Sequence, residues 1–117
     1  MSRNPLLYLS ELFDGIRAIQ SYAEGMTIDE FVRDPKTLDA CIRRFQILGE
    51  AAKNLPAEWK EKEPEIPWKD VVNFRNLLVH EYFRIDETLL WNTIQQDLEP
   101  LLSACERILD RVESEER

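Results

Sequence analysis

The chain contains one histidine, and it lies in the run Arg75-Asn76-Leu77-Leu78-Val79-His80-Glu81-Tyr82. An imidazole, with an unperturbed pKa of about 6.5, both takes and gives a proton near neutrality. Cleaving an RNA phosphodiester needs a group that helps deprotonate the 2′-hydroxyl, a cation or donors for the charge that builds on the phosphorane, and an acid for the leaving oxygen. His80, Arg75 and Asn76 are residue types suited to those roles. The segment has no cluster of carboxylates of the kind magnesium uses, and a lone histidine leaves little for zinc, so the expected site uses no metal and no cofactor.

Spacing limits what one copy of this run can do. Arg75 and His80 are five residues apart, so on a straight helix they diverge by about 140°. Asn76 and His80 stack at four-residue spacing, while Arg75, Val79 and Tyr82 form an adjacent stripe. A homodimer crossing at this helix would bring both sets together and supply two copies of His80 across a twofold axis. Spacing alone is equally met by a structural histidine, and Tyr82 alone by a core phenol.

The elements that must position the run read as helices throughout. Asn4-Pro5 is a cap followed by a first-turn proline, and Leu6, Leu9, Phe13, Ile16, Ile19 and Tyr22 make an apolar stripe that Gly25 ends. Thr27 and Glu30 form a capping-box pattern with Met26 and Phe31 at the staple positions, which predicts a short helix. Asp34-Pro35 starts a second long helix with Leu38, Ile42, Phe45, Leu48, Ala52 and Leu55 inward, stopped by Pro56. Gly49 costs that helix up to about 1 kcal/mol relative to alanine, so its use is to admit another helix closely. Arg43, Gln46, Glu50 and Lys53 share a separate polar face.

Pro56 to Lys62 predicts a short acidic turn, and Pro64 and Pro67 bracket the entry to the histidine helix, which carries Trp68, Val71, Val72, Phe74 and Leu78. Trp59 and Trp68 could stack on bases, but their proline-flanked positions favour core or hinge packing. Asp86 caps a final long helix running from Leu90 to Val112, which Pro100 should kink by displacing the bond to the Gln96 carbonyl. The expected fold is all-α: an up-and-down bundle of about four principal helices plus short helical turns, in a single domain over 1–112 with a frayed charged tail at 113–117. Leu77, Leu78, Val79 and Phe83 surround His80 with apolar groups, which points to a dimer packed on this helix.

With 117 residues, 44% apolar and 32% charged, the chain suits one soluble domain, and three glycines argue against a turn-rich β fold. It has no apolar run long enough to span a membrane and no signal-peptide layout, so the expected location is cytoplasmic, with no membrane partner. Cys41 and Cys105 fall on apolar faces and read as small buried hydrophobes. A net charge of −8 opposes nonspecific adhesion to nucleic acid, so an RNA role needs a local basic patch, for which Arg43, Arg44, Lys69, Arg75 and Arg84 are the candidates.

Arg75 to Tyr82 matches an Arg-x4-His-x-Tyr pattern, and with Ile47-Leu48-Gly49-Glu50-Ala51-Ala52-Lys53, Leu55-Pro56, Pro64-Glu65-Ile66-Pro67-Trp68 and Phe83-Arg84-Ile85-Asp86 it resembles the HepT-like toxins of the HEPN superfamily, in order and spacing. The similarity reaches back to the Tyr8 to Tyr22 segment and so covers nearly the whole chain. The resemblance implies a HEPN-like dimer, the toxin half of a toxin-antitoxin module, acting as a metal-independent endoribonuclease on an RNA substrate. It implies Arg75 and His80 as the catalytic pair, with Asn76 accompanying the arginine. It also implies an MntA-like minimal nucleotidyltransferase antitoxin as partner, in a possible higher hetero-oligomer, which silences the toxin by moving AMP from ATP to Tyr82.

Glu50 is a candidate for orienting Arg75 or His80, since its helix should run beside theirs. Arg84 stands where the family frequently has glycine, and with Arg43 it is a candidate RNA contact; Glu81 reads as solvent-facing or paired with Arg84. Two other functions fit the same residues less fully. One is a non-catalytic helical module that binds a nucleotidyltransferase or a nucleotide; the other is a dimeric interaction protein without small-molecule chemistry.

Overall fold

A computed structural model describes residues 4–80 and 86–116, without the side chains of Val79 and His80. Among the described residues there are seven helices and no strand. The first, α1 (Pro5–Ala23), starts where the Asn4 side chain accepts from the Leu6 amide at 2.9 Å. It stops at Gly25, whose φ of +76° is a left-handed value that glycine adopts without a Cβ clash. The buried stripe is Leu9, Leu12, Gly15, Ile16, Ile19 and Ala23. Leu6, Phe13 and Tyr22, expected inside, lie half-buried on its flank, because the small residues Gly15 and Ala23 take the close-packed centre.

Both halves of the Thr27/Glu30 capping box form, at 3.2 and 3.0 Å, and open α2 (Ile28–Val32). Asp34 accepts from the Thr37 amide at the start of α3 (Pro35–Asn54), and the apolar residues expected to face inward from Leu38 to Leu55 are all buried. Lys60, in α4 (Ala57–Glu61), donates from Nζ to the Ala52 carbonyl at 3.0 Å. That bond closes the C-terminus of α3, where carbonyls lack helical partners and a cation meets the negative end of the helix dipole.

The segment between α4 and α5 (Trp68–His80) is fixed from two sides. Trp68 Nε1 donates to the carbonyls of Glu63 and Lys60 at 3.1 and 3.2 Å, so this ring is a hinge-packing group and not a free base platform. Glu63, with a side chain 7% exposed, accepts from Arg107 and Arg111, each at 2.7 Å. The Arg107 hydrogen bond leads the causes that hold the Glu63 carboxyl below its ordinary range, against an opposing push from burial. Glu63 follows the acidic turn of Pro56 to Lys62 in sequence, and in the fold it is the buried anchor of this segment.

The final helix is two helices. Asp86 caps α6 (Glu87–Gln96) through the Thr88 and Leu89 amides, and α7 (Leu98–Glu115) follows after Asp97. The expected kink at Pro100 is a break instead: without an N–H at Pro100 the Gln96 carbonyl cannot be bonded in helical register, and the chain restarts with the proline in the first turn of α7. The helix of α7 continues to Glu115, beyond position 112, and Glu115 pairs with Lys62 at 3.6 Å.

In space, α3 lies between α1 and α5, and α7 packs on the other side of α1 and on α6. The extensive interface of α5 is with α3. There Phe45 and Phe74 meet edge to face at 5.2 Å and Leu78 is fully buried. Burying a leucine side chain stabilises by about 1.5–3 kcal/mol, and an aromatic pair adds roughly 0.5–1.5 kcal/mol. These contacts fix the helix that carries the arginine. No helix among the described residues is long and apolar enough to cross a membrane.

Candidate active site

Arg75 sits at the seam of α3 and α5, directly over Gly49. A Cβ at position 49 would lie 2.8 Å from Arg75 Cγ and 3.4 Å from its Cα. The 3.4 Å contact is ordinary, but the added Cβ would also run into Arg75 Cβ, and real Cβ atoms do not come within 3.0 Å of another carbon as it would with Arg75 Cβ and Cγ, so glycine at this position is what lets the two helices meet here. The neighbouring residue on α3, Glu50, reaches the guanidinium: its Oε2 is 3.3 Å from Arg75 Nη2. Arg75 Nη1 donates to Asn76 Oδ1 at 2.9 Å. The third nitrogen, Nε, is buried with no hydrogen-bond acceptor among the described residues, an arrangement that ordinarily costs about 1–3 kcal/mol.

The guanidinium is therefore aimed by two side chains, and 30% of its side-chain surface is open to solvent. Beside it a cleft of about 240 Å³ is lined by Glu11 of α1, by Arg43, Gln46, Ile47 and Glu50 of α3, and by Arg75. The polar face of α3 and the arginine of α5 thus meet across one opening. His80 closes α5, a little over one turn beyond Arg75. Tyr82, Arg84 and Glu81 lie outside the described residues, as does Phe83. Among the described residues no group of three or more His, Cys, Asp or Glu side chains is placed to hold a metal ion.

A family model described as "Ribonuclease HepT-like" matches residues 12–108. The chain belongs to the HepT-like ribonuclease family. Its relatives agree over nearly full length. A Thermococcus cleftensis protein named "Probable ribonuclease HepT" is 35% identical over 108 residues, covering 92% of this chain and 98% of that protein. A Caldanaerobacter subterraneus protein named "Putative RNase" is 33% identical over 109 residues, covering 93% of this chain and 97% of that one. A Methanocaldococcus jannaschii protein named "Gamma-glutamylcyclotransferase and putative RNase" is 34% identical over 113 residues, and there the chain spans 51% of the relative. No solved structure matches the chain significantly. The helical bundle is the all-α, HEPN-like architecture expected of this family.

Within this HepT-like chain, the structure brings together Arg75, Asn76, Glu50 and Arg43, which the sequence singled out separately. It adds Glu11, Gln46 and Ile47, which the sequence did not assign to a site. Positions 43, 46, 47 and 50 follow the i, i+3, i+4, i+7 spacing of one helical stripe, so Gln46 and Ile47 were within reach of a periodicity argument. Glu11 gave no local signal, because α1 meets this cleft only through the tertiary fold. Cys41 and Cys105 are free, buried thiols; burial pushes them up to about 11 and about 12, so neither is poised as a nucleophile.

Proposed function

We propose that this protein is an RNA-cleaving toxin, a metal-independent endoribonuclease whose site is completed when two copies of α5 meet in a homodimer. The observation that carries the proposal is the aimed, partly open guanidinium of Arg75, five positions before the chain's one histidine, in a member of the HepT-like ribonuclease family. In this reading His80 of one copy takes the 2′-hydroxyl proton as that oxygen attacks phosphorus. The bond from phosphorus to the 5′-oxygen breaks, and the departing oxygen takes its proton from the second copy's imidazolium. Arg75 and Asn76 meet the charge on the phosphorane, and Glu50 orients Arg75. Arg43 and Arg84 contact the RNA.

Control is proposed to come from an MntA-like nucleotidyltransferase antitoxin bound to the toxin. The Tyr82 phenol oxygen attacks the α-phosphorus of ATP, pyrophosphate leaves, and the phenol proton passes to a base of the partner. The added AMP brings bulk and a negative charge beside Arg75, which opposes RNA entry.

The deciding experiment is incubation of a defined cellular RNA pool with purified protein in the presence of a chelator. Wild type should cut, and His80→Ala and Arg75→Ala should not. Cleavage equal in all three removes the catalytic assignment, and tight binding of the nucleotidyltransferase without any cleavage favours a non-catalytic module. Silencing is tested by treating the protein with the partner, ATP and magnesium and mapping the product by peptide mass spectrometry; no AMP on Tyr82 refutes it.

A further inference from the structure

On a side of α5 that Arg75 does not line, an apolar groove of about 410 Å³ opens between this helix and the junction of α6 with α7. Val71 and Phe74 line it from α5, Leu98 and Pro100 from α7, and Phe45 and Leu48 of α3 close its floor. Each wall continues, toward the 81–85 link in sequence, in an exposed leucine. Leu77, 40% exposed, follows Asp70 and Phe74 at helical spacing on α5; Leu89, 45% exposed, precedes Thr93 and Asp97 on α6. From Leu89 to Asp97 the helix rises about 12 Å, the length of roughly two helical turns.

The rim of this groove is acidic. Its described lining holds the carboxylates of Glu65, Asp70 and Asp97 and no cation. Asp70 and Asp97 make no ion pair among the described residues. Carboxylates repel the phosphates of RNA. A twofold contact would set the same three carboxylates against their own copies, so a second copy of this chain is opposed as well. The complementary surface is an apolar ridge flanked by lysine or arginine, the pattern an amphipathic helix presents to a groove.

We infer that this groove docks the AMP-transferring nucleotidyltransferase, through a basic-flanked apolar ridge of that partner. The inference rests on the reading above, in which Tyr82 accepts AMP. In the sequence Tyr82 stands two positions after α5 ends at His80 and five before α6 starts at Glu87. A partner seated on both walls therefore holds the two helices that bracket its target, which raises the effective concentration of the phenol at the transferring site. RNA and partner are then met by different charges, the arginine on one side and the carboxylates on the other.

The test measures the affinity of the purified nucleotidyltransferase for the full chain by titration calorimetry. Leu89→Ser, and the pair Asp70→Lys with Asp97→Lys, should each weaken binding about tenfold or more. Added salt should weaken binding of the wild type and have little effect on the charge-reversed pair. Glu24→Lys with Asp110→Lys makes the same change in net charge at exposed positions outside the groove and should bind like wild type. All of these variants should melt and cut RNA like wild type, while AMP transfer to Tyr82 at limiting partner concentration falls with affinity.

Groove variants that bind the partner as tightly as wild type overturn the docking site, and leave the silencing reading standing where Tyr82 still gains AMP. An equal loss of binding in the Glu24 and Asp110 control reduces the effect to net charge and overturns it too. So does a wild-type dimer that Leu89→Ser turns into a monomer in sedimentation, which makes the groove a contact between copies, or a loss of RNA binding in that variant. Groove-dependent binding with no AMP on Tyr82 upholds the docking site and overturns the silencing reading. A nucleotidyltransferase that does not bind the wild type overturns both.

Discussion

Replacing Gly49 by alanine separates two effects that usually travel together. The new Cβ would be 2.8 Å from Arg75 Cγ and 3.4 Å from its Cα, and it is fixed to the α3 backbone, so no rotamer change at position 49 relieves it. Either α5 moves away from α3 or Arg75 is displaced, by about 1 Å to restore ordinary contact distances. Overpacking of this kind costs typically 1–3 kcal/mol, and alanine returns about 1 kcal/mol through its helix propensity. The net loss of stability should therefore be at most about 2 kcal/mol.

Activity should fall much further, since an ångström of misplacement at a catalytic group can cost about a hundredfold. Gly15→Ala is the matched control. Its Cβ would lie 3.7 Å from Leu48 Cβ and 3.8 Å from Leu48 Cδ1, an ordinary contact. That variant should gain up to about 1 kcal/mol and cleave RNA like wild type. Urea denaturation and RNA cleavage on the three proteins decide the matter. If Gly49→Ala matches Gly15→Ala in both stability and rate, the close approach at Arg75 has no functional meaning and the reasoning fails.

Glu50→Ala should change stability by less than about 1 kcal/mol, because the pair is partly exposed, yet lower kcat roughly tenfold or more, with Glu50→Gln retaining part of it; an unchanged kcat in both variants would show the carboxylate to be surface decoration. Glu63, held below its ordinary pKa chiefly by Arg107, contributes stability that is present above about pH 4.5 and lost as the pH falls through its folded value. Glu63→Gln should thus cost about 2 kcal/mol at pH 7 and progressively less in acid, and a cost that does not vary with pH would contradict this. Thiol alkylation at pH 8 should leave Cys41 and Cys105 unmodified in the native protein and label both in urea, given burial and pKa values of about 11 and about 12. Rapid native labelling would mean that α3 or α7 opens readily.

The helices were legible because each start carries its own chemistry: Asn4-Pro5, the Thr27/Glu30 box, Asp34-Pro35 and Asp86 all act locally, within four residues. The inward face of α3 was equally plain, since its apolar residues hold one period to Leu55. The face of α1 was less so. Phe13 and Tyr22 are large and apolar enough to satisfy a periodic count, but Gly15 and Ala23 are what a close neighbour requires, and size matching between helices is not written in either helix alone. Glu63 gives no local signal of its burial for a related reason: its partners Arg107 and Arg111 are more than 40 positions away. At the site, Gly49 announced a close approach without saying to what, and the fold supplied Arg75.

The central position of α3 has a consequence for how such a protein can diverge. One stripe of this helix faces α1 and the core, while another, at 43, 46, 47 and 50, faces the opening beside Arg75. Turning or sliding the helix to reshape the opening would drag the core stripe out of register, so the rod itself is not adjustable. Only the side chains of the outer stripe are free to change. The shape and charge of the opening can then change by exchange at a few adjacent positions on a fixed frame, with glycine at 49 kept as the notch that sets the arginine in place.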